Sequence, residues 1–220
     1  MTQVVNICFH GIGDPHRELE PGEAEYWVSA DLYRAILDEI AGWPSVAISF
    51  DDGNDSDIGT GLPELRSRGL AATFFPLAGR LGEAGSLSAA DVRELAGAGM
   101  RIGSHGMAHR SWRGMDDATR TAELVEARQR LAEAAGTPVT EAACPLGRYD
   151  RRVLSGLRQL GYLRVYTSDR RVAGAGSWLQ PRFSVRRGDS PQSVRAAALQ
   201  PPGLARRARD GAVGVIKRIR

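Results

Sequence analysis

The sequence predicts an α/β fold, a distorted and incomplete (β/α) barrel of about seven strands in a single domain, on three observations. Short β-branched or aromatic runs alternate with amphipathic helical patterns along the chain, the βαβα order of a parallel sheet. Residues able to do chemistry fall directly behind the apolar runs, where a parallel barrel gathers its functional loops. The 220 residues, 42% apolar and 25% charged, suffice for one hydrophobic core. Residues 1–200 are assigned to the barrel and 201–220 to a basic carboxy-terminal tail.

The first strand is expected from Val4 to Phe9. A helix follows from Ala30 to Ala41, with Ser29 as N-cap and Leu32, Ile36 and Ile40 on its inner face. Strand two, Val46 to Phe50, ends at two aspartates, and a helix over Gly61 to Ser67 leads to the fully apolar strand Ala71 to Pro76. Ser88 caps a helix from Ala89 to Ala98, Gly99 stops it, and Met100 to Ser104 forms strand four. The longest helix runs from Asp117 to Ala135 behind the cap Asp116, with Leu124, Ala127, Leu131 and Ala134 inward. Strand five is Val139 to Cys144, a helix spans Arg151 to Leu160, and strand six is Leu163 to Tyr166. A Gly-rich loop at Ala173 to Gly176 precedes the last strand, Arg182 to Val185, and Ser190-Pro191 opens a final helix with proline at its favoured first position.

A net charge of only +3 gives no indication of nucleic-acid binding, and the single lysine, Lys217, among 29 basic residues reflects a general preference for arginine. Cys8 and Cys144 both lie in apolar runs, where a thiol behaves as a small hydrophobe, so a reducing compartment is expected. No stretch approaches the roughly 20 apolar residues of a membrane helix, and the amino terminus lacks a basic leader. A cytoplasmic location follows as an expectation. The tail arginines with Lys217 offer at most a weak contact with a membrane surface.

Two strings carry the chemistry. Ser49-Phe50-Asp51-Asp52-Gly53 follows strand two, and Ser104-His105-Gly106-Met107-Ala108-His109 follows strand four, in a chain with four histidines. Two neutral imidazoles and one carboxylate complete a three-ligand site for a divalent ion with an open position, and the second carboxylate is left to move protons. Either string alone is a common turn or a chance pair. Together, each behind a strand, they point to metal-assisted hydrolysis.

These strings resemble the first and second motifs of the polysaccharide deacetylases of carbohydrate esterase family 4, the NodB-type homology domain. Gly106 stands where the second motif usually has a hydroxyl residue. The resemblance spans roughly residues 4 to 185 and implies that Asp52, His105 and His109 hold the metal while Asp51 is the general base. Zinc is the first candidate, with Co2+, Ni2+, Mn2+ and Fe2+ as alternatives. The family's third motif, Arg-Pro-Pro-Tyr-Gly, survives only as Ala143-Cys144-Pro145-Leu146-Gly147, without the arginine that usually orients the base. This is similar to a subgroup reading Ala-Tyr-Pro-x-Gly, which implies that Pro145, Leu146 and Gly147 contact substrate and that the Leu146 amide faces the oxyanion. Gln180-Pro181-Arg182-Phe183 resembles a late Leu-Pro-Arg element, placing Arg182 among the substrate-binding residues and beside the base. The late Leu-x-His motif is missing, since no histidine follows His109. In relatives with an amino-terminal Tyr-His segment that segment supplies the general acid, and Phe9-His10-Gly11 is similar to it, so His10 is expected to protonate the leaving amine.

The resulting expectation is a hydrolase that removes an acetyl group from an N-acetylated sugar or glycoconjugate, with Asp51 drawing a proton from a metal-activated water. Tyr26, Trp27 and Trp112 are candidates to stack on sugar rings, while His16 is expected in solvent and Cys144 in the core. Three rivals use the same residues: hydrolysis of a cyclic amide or ureide on the same fold, an iron(II) facial triad, and a catalytically silent carbohydrate-binding domain, which the missing arginine and late histidine would suit.

Overall fold

The computed structural model describes residues 2–199. The basic tail, and with it the expected membrane-surface contact, lies outside the described residues. Within them the α/β expectation holds. Strands β1 (Gln3–Phe9), β2 (Val46–Asp52), β3 (Ala72–Pro76) and β4 (Arg101–Ile102) form a parallel sheet in the order β4-β3-β2-β1. A second parallel sheet holds β5 (Glu141–Ala143), β6 (Arg164–Thr167) and β8 (Leu179–Pro181). A single parallel bridge, Ser104 to Ala142, joins the two sheets on one side.

The other side closes through one stretch of chain. After β8 pairs with β6, the backbone bends at Arg182 and continues as β9 (Phe183–Ser184), which pairs with β1. Leu179 to Ser184 thus acts as the seventh member of an incomplete barrel. The last strand therefore starts three residues before its expected position at Arg182, because Leu179 and Gln180 are half of the closure. The expected Gly-rich loop contains a short strand, β7 (Ala173–Gly174), antiparallel to the start of β1.

Helices α1 (Ala30–Ala41), α2 (Leu62–Ser67) and α3 (Ala89–Gly97) cover the first sheet. Ser29 caps α1 by accepting from the Leu32 amide, and Ser88 and Asp91 form a capping box on α3. The inner face of α1 is Tyr33, Ile36, Leu37 and Ile40, so Leu32 sits one position off the buried stripe. The long helix is continuous in direction but not in kind: α4 (Asp117–Thr121) passes through a π-helical turn (Ala122–Glu126) into α5 (Ala127–Ala135). The expected stripe Leu124, Ala127, Leu131, Ala134 is buried along it. Helices α6 (Arg151–Gln159) and α7 (Pro191–Leu199) complete the shell.

Strand alternation sorts the barrel into two environments. Val5, Ile7 and Phe9 of β1 pack outward into the helix-facing core, where Phe50 and Phe74 stack at 4.6 Å. Burying each such side chain stabilises the fold by about 1.5–3 kcal/mol. The intervening positions hold buried polar groups, among them Asn6, Ser49, Asp51, Gln180 and Arg182. They are paired: Asn6 Nδ2 donates to Gln180 Oε1 at 3.0 Å and to the Pro181 carbonyl.

Candidate active site

The sequence-selected histidines and aspartates, His10, Asp51, Asp52, His105 and His109, converge at the carboxyl ends of the strands and, with Leu146 among others, line a cavity of about 350 Å3. Consecutive residues of a strand point to opposite faces, yet Asp51 and Asp52 both reach this cavity. The reason is the backbone of Asp52, which leaves the β region at φ 74° and re-aims its side chain. Among the described residues only four other than glycine have positive φ, and three of them are at the site: Asp52, His109 (φ 49°) and Leu146 (φ 57°). Such backbone costs of order 1–3 kcal/mol each and persists where the surroundings over-determine it.

Asp52, His105 and His109 offer ligand atoms within 4.8 Å of one another. Asp52 Oδ1 lies 3.5 Å from Nε2 of His105 and 3.5 Å from Nε2 of His109. The other ring nitrogens are committed elsewhere. His105 Nδ1 donates to the Ala143 carbonyl at 2.9 Å, and His109 Nδ1 meets Glu20 Oε2 at 2.6 Å. Because carbonyl and carboxylate oxygens only accept here, the hydrogen bonds assign a proton to each Nδ1, and in the neutral form of each ring the Nε2 lone pair faces Asp52. Burial pushes His105 down to about 4, against the pull of Asp51 and Asp52, so its ring is neutral near pH 7. Asp52 Oδ1 is buried and has no hydrogen-bond donor. An orphaned carboxylate oxygen beside two ring nitrogens fits a divalent cation.

Asp51 is held differently. Arg182 donates to it through both ends of its guanidinium, at 2.6 Å from Nη1 and 2.6 Å from Nη2, and Nη1 also donates to Ser49 Oγ at 3.1 Å. Burial alone would raise the Asp51 carboxyl, but Arg182 foremost, with His105 and His10, holds it well below the usual carboxylate range. Arg182 is fully buried. Its expected substrate-binding place is therefore corrected: it pairs with Asp51, and solvent-borne ligands cannot reach it. Of the third-motif remnant, Leu146 and Cys144 line the cavity, whereas Pro145 and Gly147 are buried behind it. Leu146 is 52% exposed, and among the described residues its amide has no acceptor in the chain.

His10 lies in the cavity wall against Tyr26, with ring centroids 4.8 Å apart and Nδ1 buried without a partner. Trp27 and Trp112 are buried and unavailable for stacking on a sugar; only Tyr26 of the three lines the cavity. His16 is exposed on Asp55, and Cys144 is buried, as expected.

Residues 40–165 match the sequence profile of the polysaccharide deacetylases. The chain belongs to the polysaccharide deacetylase family. YxkH of Bacillus subtilis, named as a polysaccharide deacetylase, is 26% identical over 142 residues, covering 64% of this chain and 50% of that protein. The chain thus spans about half the length of this curated relative. Among solved structures, the deacetylase PplD of Streptococcus pyogenes in complex with acetate superposes with a TM-score of 0.76 at 19% identity, over 91% of this chain and 99% of that one. A de-N-acetylase of Aggregatibacter actinomycetemcomitans gives 0.75 at 14% identity, over 89% and 100%. At these identities the superpositions establish the deacetylase fold. No helix of the described residues is long and apolar enough to cross a membrane.

Two residues that organise this candidate site carry no local signal in the sequence. Glu20, in the loop after β1, holds His109. Glu123, in the π-helical turn, is buried and accepts from the amides of Met107 at 2.8 Å and Ala108 at 3.2 Å and from Trp112 Nε1 at 3.2 Å. It explains Gly106: a Cβ there would lie 2.1 Å from Glu123 Oε2. The carboxylate occupies the space that a side chain at position 106 would need.

Proposed function

We propose that this chain is a metal-dependent amide hydrolase that removes the acetyl group from an N-acetylated sugar. The observation that carries the reading is the division of labour between neighbouring aspartates: Asp52 faces two imidazole lone pairs, while Asp51 is locked on Arg182. Asp52, His105 and His109 would hold the ion, and an Asp-His-His set with an open position suits zinc first. When bound, the cation lowers the pKa of a coordinated water and polarises the amide carbonyl.

Everything else falls to the chain. Asp51, kept ionised and oriented by Arg182, accepts a proton from the attacking water. The unpaired Leu146 amide donates to the carbonyl oxygen as negative charge gathers there. His10 gives a proton to the sugar nitrogen as the C–N bond breaks, so that acetate and a free amine leave. Tyr26 supports the His10 ring and offers an aromatic face to the sugar.

The silent binding-domain reading drew on the missing third-motif arginine and late histidine; against its first ground, Arg182 supplies a guanidinium to Asp51 from 131 residues away. The test is acetate release from a panel of N-acetylated saccharides, with metal content measured on the same samples. Wild type is expected to release acetate, and Asp51→Asn to release none while keeping its metal. Glycan binding without any acetate release by the metal-loaded wild type would overturn the proposal.

A further inference from the structure

The two imidazoles of the candidate metal site are anchored by different means. His105 Nδ1 donates to a main-chain carbonyl, that of Ala143, which the parallel sheet fixes. His109 has no such support. It lies on a loop at φ 49°, and its Nδ1 meets a side chain 89 residues away, Glu20 Oε2, at 2.6 Å. The other Glu20 oxygen is paired with Arg80, which belongs to the short turn after β3. Glu20 therefore links three loops: its own, the Arg80 turn and the His109 loop.

We propose that Glu20 is a positioning residue for the metal site, fixing the ring and tautomer of His109 so that its Nε2 lone pair faces Asp52. This rests on the metal-site reading above. The physical reason is twofold. A carboxylate that accepts the Nδ1 proton makes the Nδ1–H tautomer the stable one, and its negative charge makes the remaining nitrogen a stronger donor to a cation. It also stops rotation of an imidazole that the backbone leaves free. Outer partners of this kind change metal affinity by about 10–100-fold. Arg80 meets the Glu20 oxygen that faces away from His109, and among the described residues it makes no hydrogen bond to either histidine.

The experiment is zinc titration of metal-free protein against a chromophoric chelator, for wild type, Glu20→Ala, Glu20→Gln and Arg80→Gln, with 15N imidazole spectra of the metal-free forms. With four histidines the rings are separable. Glu20→Ala is expected to weaken zinc binding by about 10–100-fold and to turn His109 from the Nδ1–H tautomer to a mixture. Glu20→Gln, which keeps an acceptor and loses the charge, should fall between, and Arg80→Gln should stay close to wild type. Wild-type zinc affinity in Glu20→Ala, or an unchanged His109 tautomer, would overturn the proposal. So would an equal loss in Arg80→Gln, which would make Glu20 a loop clamp only. Failure of the wild type to bind zinc would refute the metal site itself, and the tautomer would still report on Glu20.

Discussion

Arg182 and Asp51, 131 residues apart in the chain, form a two-pronged ion pair in which both partners are buried. The base of the proposed reaction is thus oriented by a residue from the bend between β8 and β9, the point at which the barrel closes. The residue at which the fold closes is the one that holds Asp51.

Replacing Arg182 should reveal both roles. Arg182→Lys keeps the charge but cannot match two carboxylate oxygens, and kcat is expected to fall by about 10–100-fold with metal content unchanged. Arg182→Ala leaves a buried carboxylate unpaired and should cost about 3–5 kcal/mol of stability. The arginine lowers the Asp51 pKa, so its loss must raise it and move the acid limb of the kcat/KM profile to higher pH. Denaturant melts and pH–rate profiles of the two variants check this, and an unmoved acid limb would remove Asp51 from the role of base.

His10→Ala should lower kcat by about 10²–10⁴-fold if its ring delivers the proton to the leaving nitrogen. Esters, whose leaving groups need less help, should lose far less. Comparing an N-acetyl with an O-acetyl substrate in wild type and variant makes the distinction; equal losses on both would point to a structural role beside Tyr26.

Gly106→Ala places a methyl group against Glu123 and forces an L-residue to φ 87°. A loss of about 1–2 kcal/mol from the backbone is expected, together with weaker metal binding as the His105–His109 segment shifts. Glu123→Gln, which leaves Gly106 its space, should harm metal binding less than Gly106→Ala. Thermal melts and zinc titration of both variants measure it.

Asp57 is buried with neither carboxylate oxygen hydrogen-bonded. Burial, reinforced by Asp52 and Asp51, raises its pKa well above the ordinary value. A raised acid binds more protons folded than unfolded, so its contribution is fully present below the unfolded pKa of about 3.9 and is lost as pH rises through the folded value. Asp57→Asn should therefore stabilise the metal-free protein by about 1–3 kcal/mol at neutral pH and flatten the decline toward higher pH. Urea melts from pH 4 to 8 would show it; a parallel decline in the variant would assign the slope to another group.

The alternation of strands and helices, the positions of most strand ends and the two motifs at them are legible in the chain alone. Those features are local: strand period, caps such as Ser29, Ser88 and Asp116, and the placement of Asp51-Asp52 and His105 directly behind apolar runs. What surrounds those residues emerges in the folded barrel. Arg182 reaches Asp51 from 131 positions away, and Glu20 reaches His109 from 89. Glu123 sets the space at Gly106 through a helix that shares no pattern with the motif. Leu179 and Gln180, too few to read as a strand, became half of the closing one because two neighbours, β6 and β1, stand ready to bond it. Local propensity is carried by neighbours in the chain, whereas charge pairing and steric fit act through space, and only the folded barrel brings the distant partners within their reach.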